Sequence, residues 1–178
     1  TGFRISPNPF MSAEQPEIYM NMGLTAERVA EKFGVSRQSQ DEFAFRSHQR
    51  AAAATAAGKF KEEIVPVVFE EVSVGTNGNQ KRREIAFEVD EHLREDTTVE
   101  GLSKLHPVFK DGGTVTAGNA CPLNDGAAAV VVMSDTRAAE LGVTPLARII
   151  ASGVSALNPE IMGLGPIEAI GQTLDRGG

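Results

Sequence analysis

Apolar and polar residues along this chain alternate in blocks that change character from one end to the other. Residues 1–20 hold Pro7, Pro9 and Pro16 with little periodicity, which predicts a loop. Thr25 has the side chain of an N-cap for a short helix over residues 25–33, and Gly34 suits its end. Ser36 is placed to cap a second helix reaching residue 57. Asp41 and Glu42 then lie near its positive end, and Gly58 fits the position just past its last turn. The alanines at 51–54, 56 and 57 make the second half of that helix a close-packing surface rather than a site. Residues 64–69 read as a strand with Pro66 marking an edge or a start. Gly75-Thr76-Asn77-Gly78-Asn79 reads as a turn, and residues 84–89 alternate as the partner strand. Thr97 or Thr98 caps a short helix through Leu105, and Pro107 stops it. Residues 127–133 are an unbroken apolar run, predicted as a buried strand. Ser134 or Asp135 caps a helix over 136–141 that Gly142 ends, and residues 146–154 predict another strand. Gly165-Pro166 opens a last helix with proline in its first turn, and Gly177 closes it. This strand, helix, strand, helix order predicts an α/β layer in the last third. The first two thirds are more irregular, as an inserted region would be.

Bulk properties narrow the field. A length of 178 residues supports one ordinary core or two small ones. Apolar content of 41% and charged content of 23% are those of a soluble globular protein. No apolar run approaches the roughly 18 residues of a membrane span, and no basic-apolar signal segment opens the chain. A single cysteine cannot form an internal disulfide, which fits a reducing cytoplasm. The net charge of −7 argues against broad nucleic-acid binding, while a local basic patch would still accept a small anion. The chain starts Thr1-Gly2-Phe3 without methionine and ends just after a helix, so it is expected to be a piece of a longer protein.

The densest chemistry lies in residues 112–129, which hold four glycines, two asparagines, one aspartate and Cys121. Glycine-rich turns leading into a buried element let backbone approach a ligand closely. A nucleophilic cysteine needs a nearby base or a helix N-terminus to lower its pKa. Pro122 removes one backbone donor beside Cys121, and no histidine is near in sequence. A structural or ligand-lining role is therefore favoured over a nucleophile, with both left open. His48, His92 and His106 share no metal-ligand spacing, so no metal site is assigned. The acidic stretch Asp90, Glu91, Glu95, Asp96 and Glu100 reads as a solvated loop before a cation site. Lys81-Arg82-Arg83 reads as a solvated hairpin tip, with a phosphate contact as the alternative. Nucleotide-loop, dinucleotide and nucleophile-elbow motifs are absent.

Several segments in order resemble the thiolase family. They are Met22-Gly23-Leu24-Thr25-Ala26-Glu27, Ser36-Arg37 with Gln40-Asp41 and Phe43-Ala44, and Ala56, Gly58 and Phe60 with Glu63-Ile64-Val65-Pro66. Gly113-Thr114-Val115-Thr116-Ala117-Gly118-Asn119 and Asn124-Asp125-Gly126-Ala127-Ala128-Ala129 follow, then Pro159 with Met162-Gly163-Leu164-Gly165-Pro166. The resemblance runs from about Pro16 to the end. It implies an incomplete layered αβαβα sandwich of α/β class: residues 1–123 as the inserted loop domain covering CoA, 124–144 as strand and helix of the N-terminal half, and 145–178 as the start of the C-terminal half.

The same resemblance implies an acyltransferase that cleaves 3-ketoacyl-CoA with CoA, or runs the reverse condensation, through an acylated cysteine. A second cysteine moves protons, and a histidine with an asparagine-held water binds the thioester oxygen. It places the nucleophilic cysteine before Thr1 and the Asn-Glu-x-Phe, Gly-His-Pro and Cys-x-Gly-Gly-Gly segments after Gly178. No catalytic residue is therefore assigned within the chain, which alone is expected to be inactive. Cys121 falls where many thiolases carry a serine contacting the pantetheine arm, which argues against a nucleophile; a thiol is the weaker hydrogen-bond partner. Arg94 is similar to the family's basic contact for the CoA nucleotide. Met22 and Met162 match methionines lining the acyl or pantetheine channel, with plain packing as the alternative. Asn119 completes the expected CoA-binding set. Asn21 stands where short-chain biosynthetic members often have histidine, which favours a general or degradative ketoacyl-CoA thiolase over a strict acetoacetyl-CoA enzyme, and fatty-acid β-oxidation is the pathway the resemblance implies. No tightly bound cofactor is implied, and CoA thioesters are the expected partners, with no nucleic acid or membrane. A homo-oligomer, dimer or tetramer, and a cytoplasmic location are also expected. The rival reading is a CoA- or partner-binding fragment without chemistry.

Overall fold

Asn8 opens the first helix of the computed structural model, which describes residues 7–178. Its Oδ1 accepts from Phe10 N at 2.9 Å, and Pro9 occupies the first turn of α1 (Pro9–Glu14). A short 3-10 helix, Pro16–Tyr19, again starts at proline. These residues therefore depart from the expected loop. Proline with an asparagine cap initiates helices here, because the missing N–H would have no partner in a first turn. The part of that expectation covering residues 1–6 lies outside the described residues.

Helix α2 (Met22–Phe33) is capped by Asn21, whose Oδ1 accepts from Leu24 N at 2.9 Å. The expected cap, Thr25, instead sits in the first turns, buried, with Oγ1 donating to Met22 O at 2.8 Å. Both side chains can cap, and the earlier one starts the helix. Gly34 ends it at φ 66°. Helix α3 (Arg37–Ala56) begins right after Ser36, and Gly58 follows at φ 69°, the left-handed stop the sequence predicts.

Strands β1 (Val67–Val74) and β2 (Gln80–Phe87) form an antiparallel hairpin in register from Val67 with Phe87 to Val74 with Gln80. Gly75 N donates to Asn79 O at 2.9 Å, and Gly78 turns the chain at φ 74°. Both strands are displaced from the expected 64–69 and 84–89. Pairing begins only past Pro66 and then runs to the turn, because each added pair satisfies backbone groups whatever the side chains. Lys81-Arg82-Arg83 consequently lies within β2 beside the turn, where Arg82 Nη1 pairs with Glu70 at 2.7 Å. Helix α4 (Val99–Ser103) is capped by Thr98 Oγ1, which accepts from Gly101 N at 3.0 Å. It is shorter than expected, and single turn bonds carry the chain on to Leu105.

In the last third, α5 (Asp135–Leu141) is capped by Ser134 and ended by Gly142 at φ 65°. A 3-10 helix, Pro159–Leu164, leads into α6 (Gly165–Gly177). The strands expected at 127–133 and 146–154 do not form. Neither segment is in a ladder, and the run expected to be buried is exposed, with Val130 at 87%. Among the described residues the sheet is β1 with β2, and an apolar run becomes a strand only when another strand completes its hydrogen bonds. Residues 152–155 lie along α6 instead. Ser155 Oγ donates to Gly165 O at 2.5 Å, Arg176 Nη1 donates to Ser152 O at 2.6 Å, and a Cβ on Gly153 would overlap the Ala169 carbonyl.

The chain divides into two compact units. One runs through Arg37 and resumes from His106 to Gly178, and the other is Gln38–Leu105. In the first, α2 packs on the 3-10 helix Pro159–Leu164, and Ala30, Val115 and Ala138 are its buried apolar side chains among the described residues. In the second, Leu102 and Asp41 are buried.

Candidate functional site

The glycine-rich run begins as a tight reversal. Pro107 and Thr116 form an antiparallel bridge, Val108 N donates to Val115 O at 3.1 Å, and Gly113 N donates to Lys110 O at 2.9 Å. Gly112 takes φ 65°, a conformation that suits glycine alone at little cost. One carboxylate from α2 then closes on this turn. Glu27 Oε1 accepts from Thr114 N and Val115 N, both at 2.7 Å, and Oε2 accepts from Thr114 Oγ1 at 3.0 Å. Glu27 is only 5% exposed, so these donors replace the water it has lost. Burial pushes its carboxyl pKa up, but the amides of Val115 and Thr114, the Thr114 hydroxyl and the charge of Lys110 outweigh that and hold it below 4.5. A Cβ on Gly113 would overlap this carboxylate and stand 2.8 Å from Lys110 O. Gly23, one turn earlier on α2, lies so close to the Phe109 ring that a Cβ would enter it.

Beyond Val115 the run is tied to itself. Asn119 Oδ1 accepts from Thr116 N at 2.7 Å, and its Nδ2 donates to Thr114 O at 3.0 Å. Thr116, fully buried, accepts from Ala120 N at 3.1 Å through its carbonyl and from Gly118 N at 3.2 Å through its hydroxyl. Cys121 follows as an exposed free thiol, with no base hydrogen-bonded to it among the described residues. The structure thus brings Asn119 and Cys121 together on one loop, with Asn119 shaping it.

Met22 opens α2 and is 63% exposed, and Met162 is 45% exposed on the 3-10 helix packed against α2. Arg94 belongs to the other unit. It is exposed, and its N–H donates to His48 Nδ1 at 3.3 Å while its carbonyl accepts from Thr97 Oγ1 at 2.8 Å. Among the described residues no group of three or more His, Cys, Asp or Glu could hold a metal ion, and no helix is long and apolar enough to cross a membrane.

Glu27 is the residue that sequence reasoning missed. Its donors lie 87 and 88 residues away. A signal was present: Gly23, Glu27 and Ala30 fall at helical spacing on the buried stripe of α2, a place where a carboxylate needs partners.

The family model described as Thiolase, N-terminal domain, matches residues 12–136. The chain is 48% identical over 172 residues to a 3-ketoacyl-CoA thiolase of Bacillus subtilis (strain 168), an alignment covering 97% of this chain and 44% of that protein. It is 48% identical over 158 residues to an acetyl-CoA acetyltransferase of Chromobacterium violaceum, covering 89% of this chain and 38% of the relative. The crystal structure of the Bacillus anthracis acetyl-CoA acetyltransferase is similar with a TM-score of 0.80 at 44% identity, over 88% of this chain and 37% of that one. The chain spans less than half the length of the curated relatives it matches. Its mixed helix and strand content fits the α/β thiolase-like fold of that neighbour, and the chain belongs to the thiolase family.

Proposed function

We propose that the protein carrying this chain cleaves 3-ketoacyl-CoA with CoA to acetyl-CoA and a shortened acyl-CoA, or runs the reverse condensation, and that this chain supplies its CoA-facing wall. Relatives named 3-ketoacyl-CoA thiolase and acetyl-CoA acetyltransferase support the reaction class. The observation that carries the division of labour is the loop itself: it is tied at Thr114, Thr116 and Asn119 and ends in an exposed Cys121 to which no base is hydrogen-bonded among the described residues. A fixed glycine-rich backbone with a terminal thiol suits lining a pantetheine arm, whereas an unactivated thiol is a poor nucleophile. The acylated cysteine, the proton-moving cysteine and the oxyanion-binding histidine then belong to segments outside this chain. Met22 and Met162 line the apolar part of the thioester channel, Asn119 holds the loop's shape, and Arg94 meets the CoA nucleotide. The layout is the αβαβα sandwich, with residues 1–123 as the CoA-covering loop domain, 124–144 returning to the N-terminal half and 145–178 entering the C-terminal half.

The test compares the full-length protein with the 178-residue chain on acetoacetyl-CoA and a longer 3-ketoacyl-CoA. CoA-dependent cleavage by the full-length protein alone is expected. Turnover by the isolated chain would put the reacting cysteine within it, and failure of the full-length protein on both substrates, with CoA still binding in calorimetry, would leave a binding role without chemistry.

A further inference from the structure

We propose that Glu27 is a positioning residue for the coenzyme-binding loop, setting the distance between the helix that starts at Met22 and the segment that ends at Cys121. The inference rests on the thiolase reading above.

Three observations carry it. First, the contact is a built one: both oxygens of a buried carboxylate are used on Thr114 and Val115, and Gly113 is confined by that carboxylate on one side and the Lys110 carbonyl on the other. Second, the loop transmits position. From Thr114 to Ala120 it is bonded to itself through Asn119 and Thr116, so a displacement at Thr114 is carried to Ala120, the residue before Cys121. Third, α2 carries Met22 at its first position, the residue that the functional reading sets on the thioester channel. Glu27 lies five residues after Met22, about 7.5 Å along the axis of a regular helix. Lys110 Nζ, paired with Glu31 Oε2 at 3.2 Å one turn further on, braces the same face. A carboxylate that touches no reacting atom can therefore fix where the pantetheine wall stands relative to the methionine wall.

A residue acting this way changes substrate binding more than chemistry. In the full-length protein, Glu27→Ala leaves the buried Val115 amide and the half-buried Thr114 amide without an acceptor, and KM for CoA and for 3-ketoacyl-CoA is expected to rise about tenfold with kcat changed less than about threefold. Gly113→Ala drives the loop off an intact carboxylate and is expected to give the same split. Glu27→Gln keeps one oxygen for the two amides and is expected to restore KM to within about threefold of wild type. A folded Glu27→Ala or Gly113→Ala protein with unchanged KM overturns the proposal, as does a loss confined to kcat or to melting temperature. If Glu27→Ala does not fold, Gly113→Ala decides. A wild-type protein without turnover or CoA binding overturns the functional reading, and this proposal with it, whereas an active wild type with insensitive variants overturns this proposal alone.

Discussion

A carboxylate that accepts from two backbone amides inside the fold responds to acid differently from one in solvent. The folded protein holds Glu27 below its ordinary 4.5, so ionised Glu27 is favoured by folding. Its contribution to stability is complete above the unfolded value and is lost as pH falls through the lower, folded one. The melting temperature of the full-length protein is expected to drop on acidification below about pH 4.5. The Glu27→Gln variant is expected to follow a flatter curve there, measured by circular dichroism across a pH series. Parallel curves would show that other carboxylates govern the acid limb. The residues around Glu27 also mark how far a sequence can be read. Cys121, Asn119 and the glycines stand out by type and spacing, and the structure shows Asn119 tying the loop together at Thr114 and Thr116. Glu27 by itself resembles any surface glutamate, and only the fold reveals the donors it meets at Thr114 and Val115.

Elements divide by the range of the interactions that make them. Helices α3, α5 and α6 and the glycines at 34, 58 and 142 follow the sequence closely, since caps and left-handed stops are decided within a few residues. The start of α2 moved from Thr25 to Asn21 because two competent caps compete within one turn, and the outcome depends on which side chain reaches an amide. Asn21→Ala is expected to cost about 1 kcal/mol at that end. Amide exchange at Leu24 should then quicken about fivefold, read by exchange mass spectrometry on the first turns of α2; an unchanged rate would mean that packing of α2 on residues 159–164, not the cap, holds the first turn. Strands are harder to read. Residues 127–133 and 146–154 have strand composition but find no partner among the described residues, while the polar Gln80-Lys81-Arg82-Arg83 is a strand because β1 lies beside it.

At the scale of the whole molecule, each compact unit has few buried apolar side chains among the described residues: Ala30, Val115 and Ala138 in one and Leu102 in the other. Val130, Val131, Leu146 and Ile149 meanwhile stand 75–104% exposed. Apolar side chains exposed in this number favour association. The isolated 178-residue chain is therefore expected to elute well above its 18.9 kDa mass in size-exclusion chromatography and to bind a hydrophobic dye. A monomer with a sharp, reversible melt would contradict this. The amino-acid sequence by itself determined helices α3, α5 and α6, the glycine stops at 34, 58 and 142, the hairpin turn and the family, because each rests on short-range chemistry or on an ordered set of motifs, whereas α1 and the 3-10 helix Pro16–Tyr19 fall where it predicts a loop. The tertiary structure decided which apolar runs pair as strands, which threonine or asparagine caps, and what Glu27 does. Those outcomes depend on groups brought together from far apart in the chain, such as Glu27 and Thr114, and nothing local to either residue encodes their meeting.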